Sequence, residues 1–338
     1  MSIENLHSHT TSSDGKQTHD QVLATARQHG IGITAFTDHD TLMPISVVNR
    51  LRGEAVTNWI SGIEISSVLP PELGSKPHSK FHIVGLFVDP THTELKQHCQ
   101  NAAENKINRS QKIIVALREL GFDITFKEVL GKSSGTAIGY PHMVEALLEK
   151  DINRLRLESI RRKMKSATRH DLETRKKYQR MMKSGPKQYP YTLLFSSSAF
   201  IPGIYQKSGF QKGLDENVNL IRNAGGVAIL AHYYSVSDTI SPDLLDTLIK
   251  AGRLDGIETV FGLFAFVDGN PNLFRREQKV TSEIVARHNC LQSGGADSHR
   301  QQDIIDFARL KSFSDRTTNM AETIVRQRKS SNWSSLQI

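Results

Sequence analysis

The chain has 338 residues, of which 38% are hydrophobic and 23% are charged, and it carries a formal net charge of +8. This composition is typical of a globular protein and excludes a disordered or fibrous one. Cys99 and Cys290 are too few for a disulfide framework, and no apolar run approaches the roughly 20 residues of a membrane span.

Seven short apolar runs predict strands, namely Ile3–His9, Ile31–Thr37, Asn58–Ile63, Phe81–Val88, Gly226–Ala231, Gly256–Phe261 and Leu291–Ala296. The first run begins almost at Met1, which leaves no room for a signal peptide, so we expect a cytoplasmic location without membrane contact. Helices are predicted at Thr18–His29, Thr93–Leu120, Asp215–Ala224, Pro242–Ala251, Gln278–His288 and Thr317–Arg328. Apolar runs separated by helices favour parallel strands buried on both faces. We therefore predict an α/β fold, a distorted (β/α) barrel of about seven strands.

Six of the seven runs carry side chains that bind metals well. These are His7, His9, Asp14, His39, Glu64, His82, His232, Asp297 and His299. In the run Phe81–Val88 the histidine opens the run, whereas in most others the metal-type residues close it. Active-site residues of alternating barrels gather at the carboxyl ends of the strands, and imidazole with carboxylate suits Zn, Mn and Fe. Taken singly, each histidine has a structural alternative, so the prediction of a metal site depends on the full set.

The motifs resemble a known family. Asn5-Leu-His7-Ser-His9 with Asp14-Gly15, then Thr37-Asp38-His39-Asp40, Gly62-Ile-Glu64, His82, Ala231-His232 and Ala296-Asp297-Ser-His299 resemble the polymerase and histidinol phosphatase (PHP) superfamily. The likeness is strongest to its stand-alone nucleotide phosphoesterase branch. It covers residues 1 to about 150 and about 212 to 300.

The resemblance implies a site for two or three divalent ions of Mn, Zn or Fe. The first would be held by His7, His9, Glu64 and Asp297, the second by Glu64, His82 and His232, and the third by Asp14, His39 and His299. Glu64 would bridge two ions, and a metal-bridging hydroxide would attack the phosphoester. Asp38 and Asp40 flank His39. Either could orient a ligand imidazole, which makes Asp38 a catalytic candidate, or could cap the following helix or turn.

The chain departs from this branch at Tyr140-Pro141-His142, where relatives carry Arg-Pro-His. A tyrosine hydroxyl offers one hydrogen bond, whereas arginine grips a phosphate with charge and two bonds, so the substrate is open. Tyr140 and His142 remain candidates for substrate binding. His142 could also donate a proton to the leaving oxygen, or it could be a surface residue at a helix start. The relatives' Ala-His-Pro is Ala231-His232-Tyr233 here.

A basic insert lies between the two parts that resemble the family. Residues 153–187 contain 13 Lys and Arg against 3 Asp and Glu, a net +10, whereas the rest of the chain has 30 against 32. Its candidate substrate contacts are Arg161, Arg162, Lys163 and Lys165. A basic segment near a phosphoesterase site would guide a polyanion, although a charge run can also be the solvated face of a helix whose buried stripe is Ile152, Leu155, Ile160 and Met164.

Five of the aromatic residues of the insert have two interpretations. Tyr178, Tyr189, Tyr191, Phe195 and Phe200 could stack on nucleic-acid bases, or they could form a small core of the insert itself.

We predict four segments: a barrel of the PHP type in residues 1–150 and 212–312, a mainly helical basic cap subdomain in 151–211, and a C-terminal helix with a polar tail in 313–338. The predicted function is metal-dependent hydrolysis of a phosphoester of a nucleotide or of an oligonucleotide end. Whether the enzyme is a phosphatase or an exonuclease stays open. Two alternatives are a nucleic-acid-binding or regulatory module with a non-catalytic metal site, and a metal-dependent hydrolase of a non-phosphate bond such as an amide.

Overall fold

The computed structural model describes residues 2–53, 58–73, 80–133, 138–207 and 209–328. Within these residues the contacts divide the chain into two compact units. The first comprises Met1–Asn101 and Gln211–Ile338, and the second Ala102–Phe210. The second unit thus begins upstream of residue 151, because residues 102–150 group with the insert. The last ten residues of the predicted polar tail, 329–338, lie outside the described residues.

The first unit is built on one sheet. Its strands are β1 (Ile3–Asn5), β2 (Ile31–Phe36), β3 (Asn58–Val68), β4 (Lys80–Leu86), β5 (Lys212–Gly213), β6 (Val227–Leu230), β7 (Gly256–Val260) and β8 (Leu291–Gly294). They are ordered β1-β2-β3-β4-β6-β7-β8, and β5 pairs with β3. Every residue of β6 and β7 is buried, as expected for strands covered on both faces. The predicted α/β class with a mostly parallel sheet is confirmed.

One strand of the sheet runs in the opposite direction. β4 is antiparallel to both β3 and β6, and His82 lies opposite Ser66 near the carboxyl end of β3. The start of an antiparallel strand lies at the same edge of the sheet as the ends of its neighbours. This reversal explains why the metal-type residue of this run opens the strand.

Backbone contacts link the chain after β1 to the chain at and after β8. Leu6 N donates to Gly294 O at 3.1 Å, and His9 N donates to Ser298 O at 2.9 Å. Ser8 and Ser298 form a parallel bridge. These bonds bring the two ends of the strand order together.

The first unit also contains helices and two clusters of buried hydrophobic residues. The helices of the first unit are α1 (His19–Gln28), α2 (Ile45–Leu51), α9 (Leu214–Asn223), α10 (Pro242–Lys250), α11 (Leu263–Val267), α12 (Arg275–His288), α13 (Gln301–Arg309), α14 (Lys311–Ser314) and α15 (Met320–Arg328). One cluster includes Phe36, Trp59 and Phe307, and the other includes Ile65 and Ile257. Among the described helices, none combines the length and apolar character needed to cross a membrane.

The second unit is helical and has its own hydrophobic core. Its helices are α4 (Phe126–Leu130), α5 (Tyr140–Glu149), α6 (Asp151–Ala167), α7 (Leu172–Lys183) and α8 (Tyr189–Leu193), and α3 (Thr93–Glu119) enters it from the first unit. Leu117, Leu147, Met164 and Leu193 lie in its core. Phe195 is buried in this core, and Tyr178, Tyr189, Tyr191 and Phe200 pack against it, which favours the structural interpretation of these five residues.

The buried stripe of α6 differs from the predicted one. Ile160 and Met164 are buried as predicted, but Ile152 and Leu155 are 58% and 71% exposed. The buried face of α6 includes Leu157 and Asn153 instead, which follow the helical spacing of three and four residues. The amide of Asn153 replaces an apolar side chain there, because it accepts from Asp123 N and donates to Asp123 O, both at 2.8 Å.

Candidate metal centre

The structure brings all nine predicted metal ligands together in the first unit. The loop after β1 supplies His7, His9 and Asp14, the loop after β2 supplies His39, β3 and β4 supply Glu64 and His82, the loop after β6 supplies His232, and the loop after β8 supplies Asp297 and His299. Each of the nine has a nitrogen or oxygen atom within 3.4 Å of one from another member. Asp14 also lies 3.7 Å from His9 and 3.8 Å from His39, so the nine residues form one cluster.

The carboxylate of Glu64 lies at the centre of this cluster and is fully buried. Its Oε2 atom is 2.9 Å from His39 Nδ1 and 3.3 Å from His9 Nε2. Its Oε1 atom is 2.9 Å from His82 Nδ1 and 3.0 Å from His232 Nε2. The two oxygens thus face different histidines, which is the arrangement of a bridging carboxylate.

Asp297 and Asp14 complete the cluster. Asp297 Oδ1 is 3.0 Å from His9 Nε2 and 3.4 Å from His7 Nε2. Asp14 Oδ1 is 3.4 Å from His299 Nε2. Donor atoms lie within 4.8 Å of one another in three groups: His9, Asp14, His39 and His299; His7, His9 and Asp297; His39, Glu64 and His82.

The donor set fits divalent cations. Within the described part of the chain, three buried atoms of the cluster, His9 Nδ1, Glu64 Oε2 and His82 Nδ1, make no hydrogen bond of acceptable geometry. A buried polar atom whose hydrogen bonding is left unsatisfied costs about 1–3 kcal/mol, and coordination to a cation would satisfy it. Imidazole and carboxylate are ligands that Zn, Mn and Fe accept.

Charge distribution keeps the carboxylates of the cluster ionised. Burial raises the pKa of Glu64, but His39, His82 and His7 outweigh it and hold the pKa well below its usual range. Burial lowers the pKa of His7, but Glu258, Asp297 and Glu64 outweigh it and raise the pKa well above its usual value. The carboxylates of the cluster therefore stay ionised and offer charged oxygen donors to a cation.

Glu258 is a site residue that sequence reasoning missed. It is 1% exposed, and its Oε1 atom accepts from His7 Nδ1 at 2.7 Å. Its Oε2 atom accepts from His232 N, also at 2.7 Å. The first bond places a proton on Nδ1 of His7 and turns Nε2 toward the cluster. The signal was a carboxylate in the middle of Gly256–Phe261, the run without a predicted ligand, since a buried carboxylate needs partners.

Asp38 and Asp40 fix loops around the cluster. Asp38 accepts from Thr10 N and Thr10 Oγ1 at 2.7 Å and from Ser13 Oγ at 2.5 Å, so it holds the loop that carries Asp14. Asp40 Oδ1 accepts from Ser66 N at 3.3 Å. These contacts give Asp38 a positioning role, and its predicted catalytic role stays a prediction.

Two members of the cluster have strained backbones. The φ angle is 26° at His232 and 51° at Asp297, in the left-handed region that residues other than glycine seldom adopt. The ring of His232 is fixed by a 2.9 Å contact between its Nδ1 atom and Ser235 Oγ. Such strain is concentrated at functional sites because the surrounding structure imposes it.

Tyr140 and His142 lie at the start of α5, in the second unit. His142 Nδ1 accepts from Gly139 N at 3.1 Å, so the neutral ring carries its proton on Nε2. Tyr140 Oη donates to Gln206 O at 3.3 Å, and the guanidinium of Arg109 lies 5.5 Å from the centre of its ring.

The predicted basic contacts on α6 differ in availability. Arg161 donates to both oxygens of Glu158, at 2.6 and 2.7 Å, and to Tyr178 Oη at 2.7 Å, so its guanidinium is already engaged within the unit. Arg162 also bonds to Glu158 at 3.0 Å, but its side chain is 76% exposed. Lys163 and Lys165 are exposed. The cations open to a ligand here are thus Arg162, Lys163 and Lys165.

The chain is similar to known phosphoesterases. A scan against protein-family models found no match. The chain is 26% identical over 299 residues to a phosphoribosyl 1,2-cyclic phosphate 1,2-diphosphodiesterase of Eggerthella lenta, covering 88% of this chain and 94% of that protein. It is 27% identical over 232 residues to the 5'-3' exoribonuclease Rnm of Salmonella typhimurium, covering 68% of this chain and 65% of that protein.

The fold is also similar to a solved structure. A protein of Bifidobacterium adolescentis, assigned as a metal-dependent phosphoesterase, superposes with a TM-score of 0.61 at 22% identity, covering 88% of this chain and 87% of that one. The fold and the relatives agree with the resemblance of the ligand motifs to the polymerase and histidinol phosphatase superfamily.

Proposed function

We propose that this chain is a metal-dependent phosphoesterase that hydrolyses a phosphoester of a nucleotide or of an oligonucleotide end. The two relatives named above act, by their names, on a phosphoribosyl cyclic phosphate and on RNA from its 5' end. Both substrates contain a phosphate ester of ribose. A nucleotide and the end of a strand both contain this ribose phosphoester, which supports either as the substrate.

The observation that carries the proposal is the position of Glu64, whose two carboxylate oxygens face different histidines. His7, His9 and Asp297 would hold one cation with Glu64, and His82 and His232 a second. Asp14, His39 and His299 would hold a third. Mn, Zn or Fe at these ligands would supply the Lewis acidity that phosphoester hydrolysis needs.

Other residues of the chain would prepare this centre. Glu258 fixes the ring of His7, and Ser235 fixes the ring of His232. Asp38 holds the loop of Asp14. His142 has a proton on Nε2 in its neutral form and is the proposed donor to a phosphate or leaving oxygen.

We further infer that the sheet closes into a barrel and that the basic insert recruits polyanions. The bonds between the chain after β1 and the chain at β8 support closure of the sheet.

The exposed Arg162, Lys163 and Lys165 support recruitment of polyanions by the insert, because clustered cations raise the local concentration of phosphate chains.

Glu64→Gln tests the proposed centre. The amide keeps the shape of the side chain but loses the charge that two cations share, so turnover should fall by at least about 100-fold, beyond the 10–100-fold typical of an outer-shell change. The number of metal ions bound per chain, measured by elemental analysis, should also fall. Hydrolysis would be measured on nucleoside monophosphates and on short RNA and DNA.

Glu4→Gln is the matched control, because Glu4 is also buried in the first unit but caps α15 instead. Normal turnover of Glu64→Gln would exclude the bridge.

A further inference from the structure

A pocket of about 420 Å³ adjoins the candidate metal centre. Asp297 and His299 belong both to its lining and to the centre, so a ligand in the pocket lies next to any group held there. All of its lining residues are in the first unit. Its volume lies within the range of small-molecule sites, about 300–1,000 Å³.

One part of the pocket lining is aromatic and apolar. Phe264 and Val267, both on α11, remain 47% and 48% exposed although they lie beside a highly charged centre. Tyr234 also lines the pocket. Its ring is stacked on Phe274 with the centroids 4.2 Å apart, and it meets Phe264 edge to face at 6.0 Å. An aromatic ring held in place and left half exposed is a platform for a flat ligand.

A glycine makes the position of this platform possible. Gly262 precedes α11 with φ at 76°, and a Cβ atom there would approach Phe274 Cδ2 to 2.7 Å. Only glycine allows both the left-handed turn and the close approach to Phe274. The backbone at the start of α11 is therefore suited to presenting Phe264 to the pocket.

The rest of the lining is mainly acidic. Asp268, Asp303 and Asp306 contribute carboxylates, and Arg300 contributes one cation that donates to Asp303 at 2.8 Å. Asp306 accepts from Gln302 at 2.9 Å. Ionised carboxylates accept hydrogen bonds from amino and hydroxyl groups and repel phosphate. The pocket thus suits an uncharged, flat group that carries N–H and O–H donors.

We propose that this pocket binds the nucleoside part of the substrate, with the base stacked on Phe264, its edge toward Tyr234, and the ester phosphate at the metal centre. This inference rests on the proposed phosphoesterase function and adds a residue that determines specificity, Phe264. A ribose or an exocyclic amino group supplies the donors for the carboxylates. Every base has a π face, so stacking here favours nucleotides over base-free sugar phosphates without selecting one base.

The test compares adenosine monophosphate with ribose 5-phosphate as substrates of the manganese-loaded protein, and measures adenosine binding by calorimetry. In Phe264→Ala, kcat/KM for the nucleotide and the affinity for adenosine should fall by about 5- to 150-fold, the loss of one base–aromatic stack. Hydrolysis of ribose 5-phosphate should change less than about 2-fold. Phe264→Leu should not restore the loss, because leucine fills space without a flat π face. Leu273→Ala is the matched control, since Leu273 is 49% exposed outside the lining.

The failures of the two proposals are distinguishable. If adenosine binds and Phe264→Ala weakens it while neither ester is hydrolysed by the unmodified protein, the pocket stands and the phosphoesterase function is wrong. The pocket is overturned if adenosine does not bind, if both substrates lose activity equally, or if leucine restores the nucleotide activity.

Discussion

Glu258 shows how one buried side chain can orient two members of the candidate metal centre. Its two oxygens hold the ring of His7 and the backbone N–H of His232, so one side chain orients two ligand positions. The partner of a ligand imidazole sets which nitrogen is free for the cation. At the scale of single residues, Glu258 is therefore the strongest addition to the nine predicted ligands.

We predict that Glu258→Gln weakens metal binding or turnover by about 10- to 100-fold, the usual effect of losing such a partner. The amide keeps one acceptor but loses the charge that raises the basicity of His7. Competition with a chelator would measure metal affinity, and nucleotide hydrolysis would measure turnover. Glu283→Gln, on the exposed face of α12, is the control. Unchanged affinity and turnover would show that the bond to His7 is only structural.

At the scale of elements, the docking of α15 depends on a buried carboxylate. Glu4 in β1 is 2% exposed, and its Oε2 atom accepts from Ala321 N at 2.8 Å in the first turn of α15. Burial raises the pKa of Glu4 from 4.5 to about 6, although backbone donors of α15 act in the opposite direction. The carboxyl group of Glu4 therefore binds its proton more tightly in the folded chain than in the unfolded chain.

The sign of the pH effect follows from this shift. The contribution of Glu4 to the free energy of unfolding is fully present below about pH 4.5 and is lost as the pH rises through about 6. The loss amounts to about 2 kcal/mol. Glu4→Gln should remove this dependence, which urea unfolding at pH 4.5, 6 and 7.5 would show as a flatter profile than that of the unmodified chain. If the free energy of unfolding of Glu4→Gln and of the unmodified chain changed equally with pH, Glu4 would not be the group responsible.

The apolar pattern predicted most elements of the first unit but could not predict strand direction. All seven predicted strands are present, as are the predicted helices that became α1, α3, α9, α10, α12 and α15. Residues 45–51 and 301–309, which form α2 and α13, were not predicted as helices. The reversal of β4 depends on pairing with β3 and β6, which a single run does not encode.

The nine residues of the cluster could be predicted from the sequence, because metal binding requires particular residue types and these follow or open the predicted strands. Glu258 was missed because it lies inside its run rather than at the end, and the only signal for it was a carboxylate in an otherwise apolar run. The pocket at Phe264 was missed for a different reason. Exposure of an aromatic residue depends on the packing of α11 against Phe274, which is a tertiary property.

At the scale of the whole molecule, metal ligands and basic charge belong to different units. The nine ligands lie in the first unit, whereas residues 153–187, with their net +10, lie in the second. Each unit has its own hydrophobic core. Replacements on the surface of α6 should therefore leave the metal centre intact.

We predict that replacing Arg162, Lys163 and Lys165 by Gln weakens action on oligonucleotides far more than on a nucleoside monophosphate. Arg161 is left unchanged because it is bonded to Glu158 and Tyr178. Each lost phosphate contact should make the log–log salt dependence of binding shallower by about 0.7 on a single strand. Replacing three exposed cations of the first unit, Lys250, Arg275 and Lys279, is the control. Equal losses on both substrates would exclude strand guidance by the insert.

The left-handed backbones of His232 and Asp297 have a consequence for how this enzyme evolves. Each such conformation costs about 1–3 kcal/mol, while a whole domain is stable by only about 5–15 kcal/mol. A population selected for heat resistance alone, in a medium without metal, would gain by placing glycine or asparagine at positions 232 and 297. Those lineages would keep the fold and become inert, so continued demand for catalysis is what preserves the strained residues.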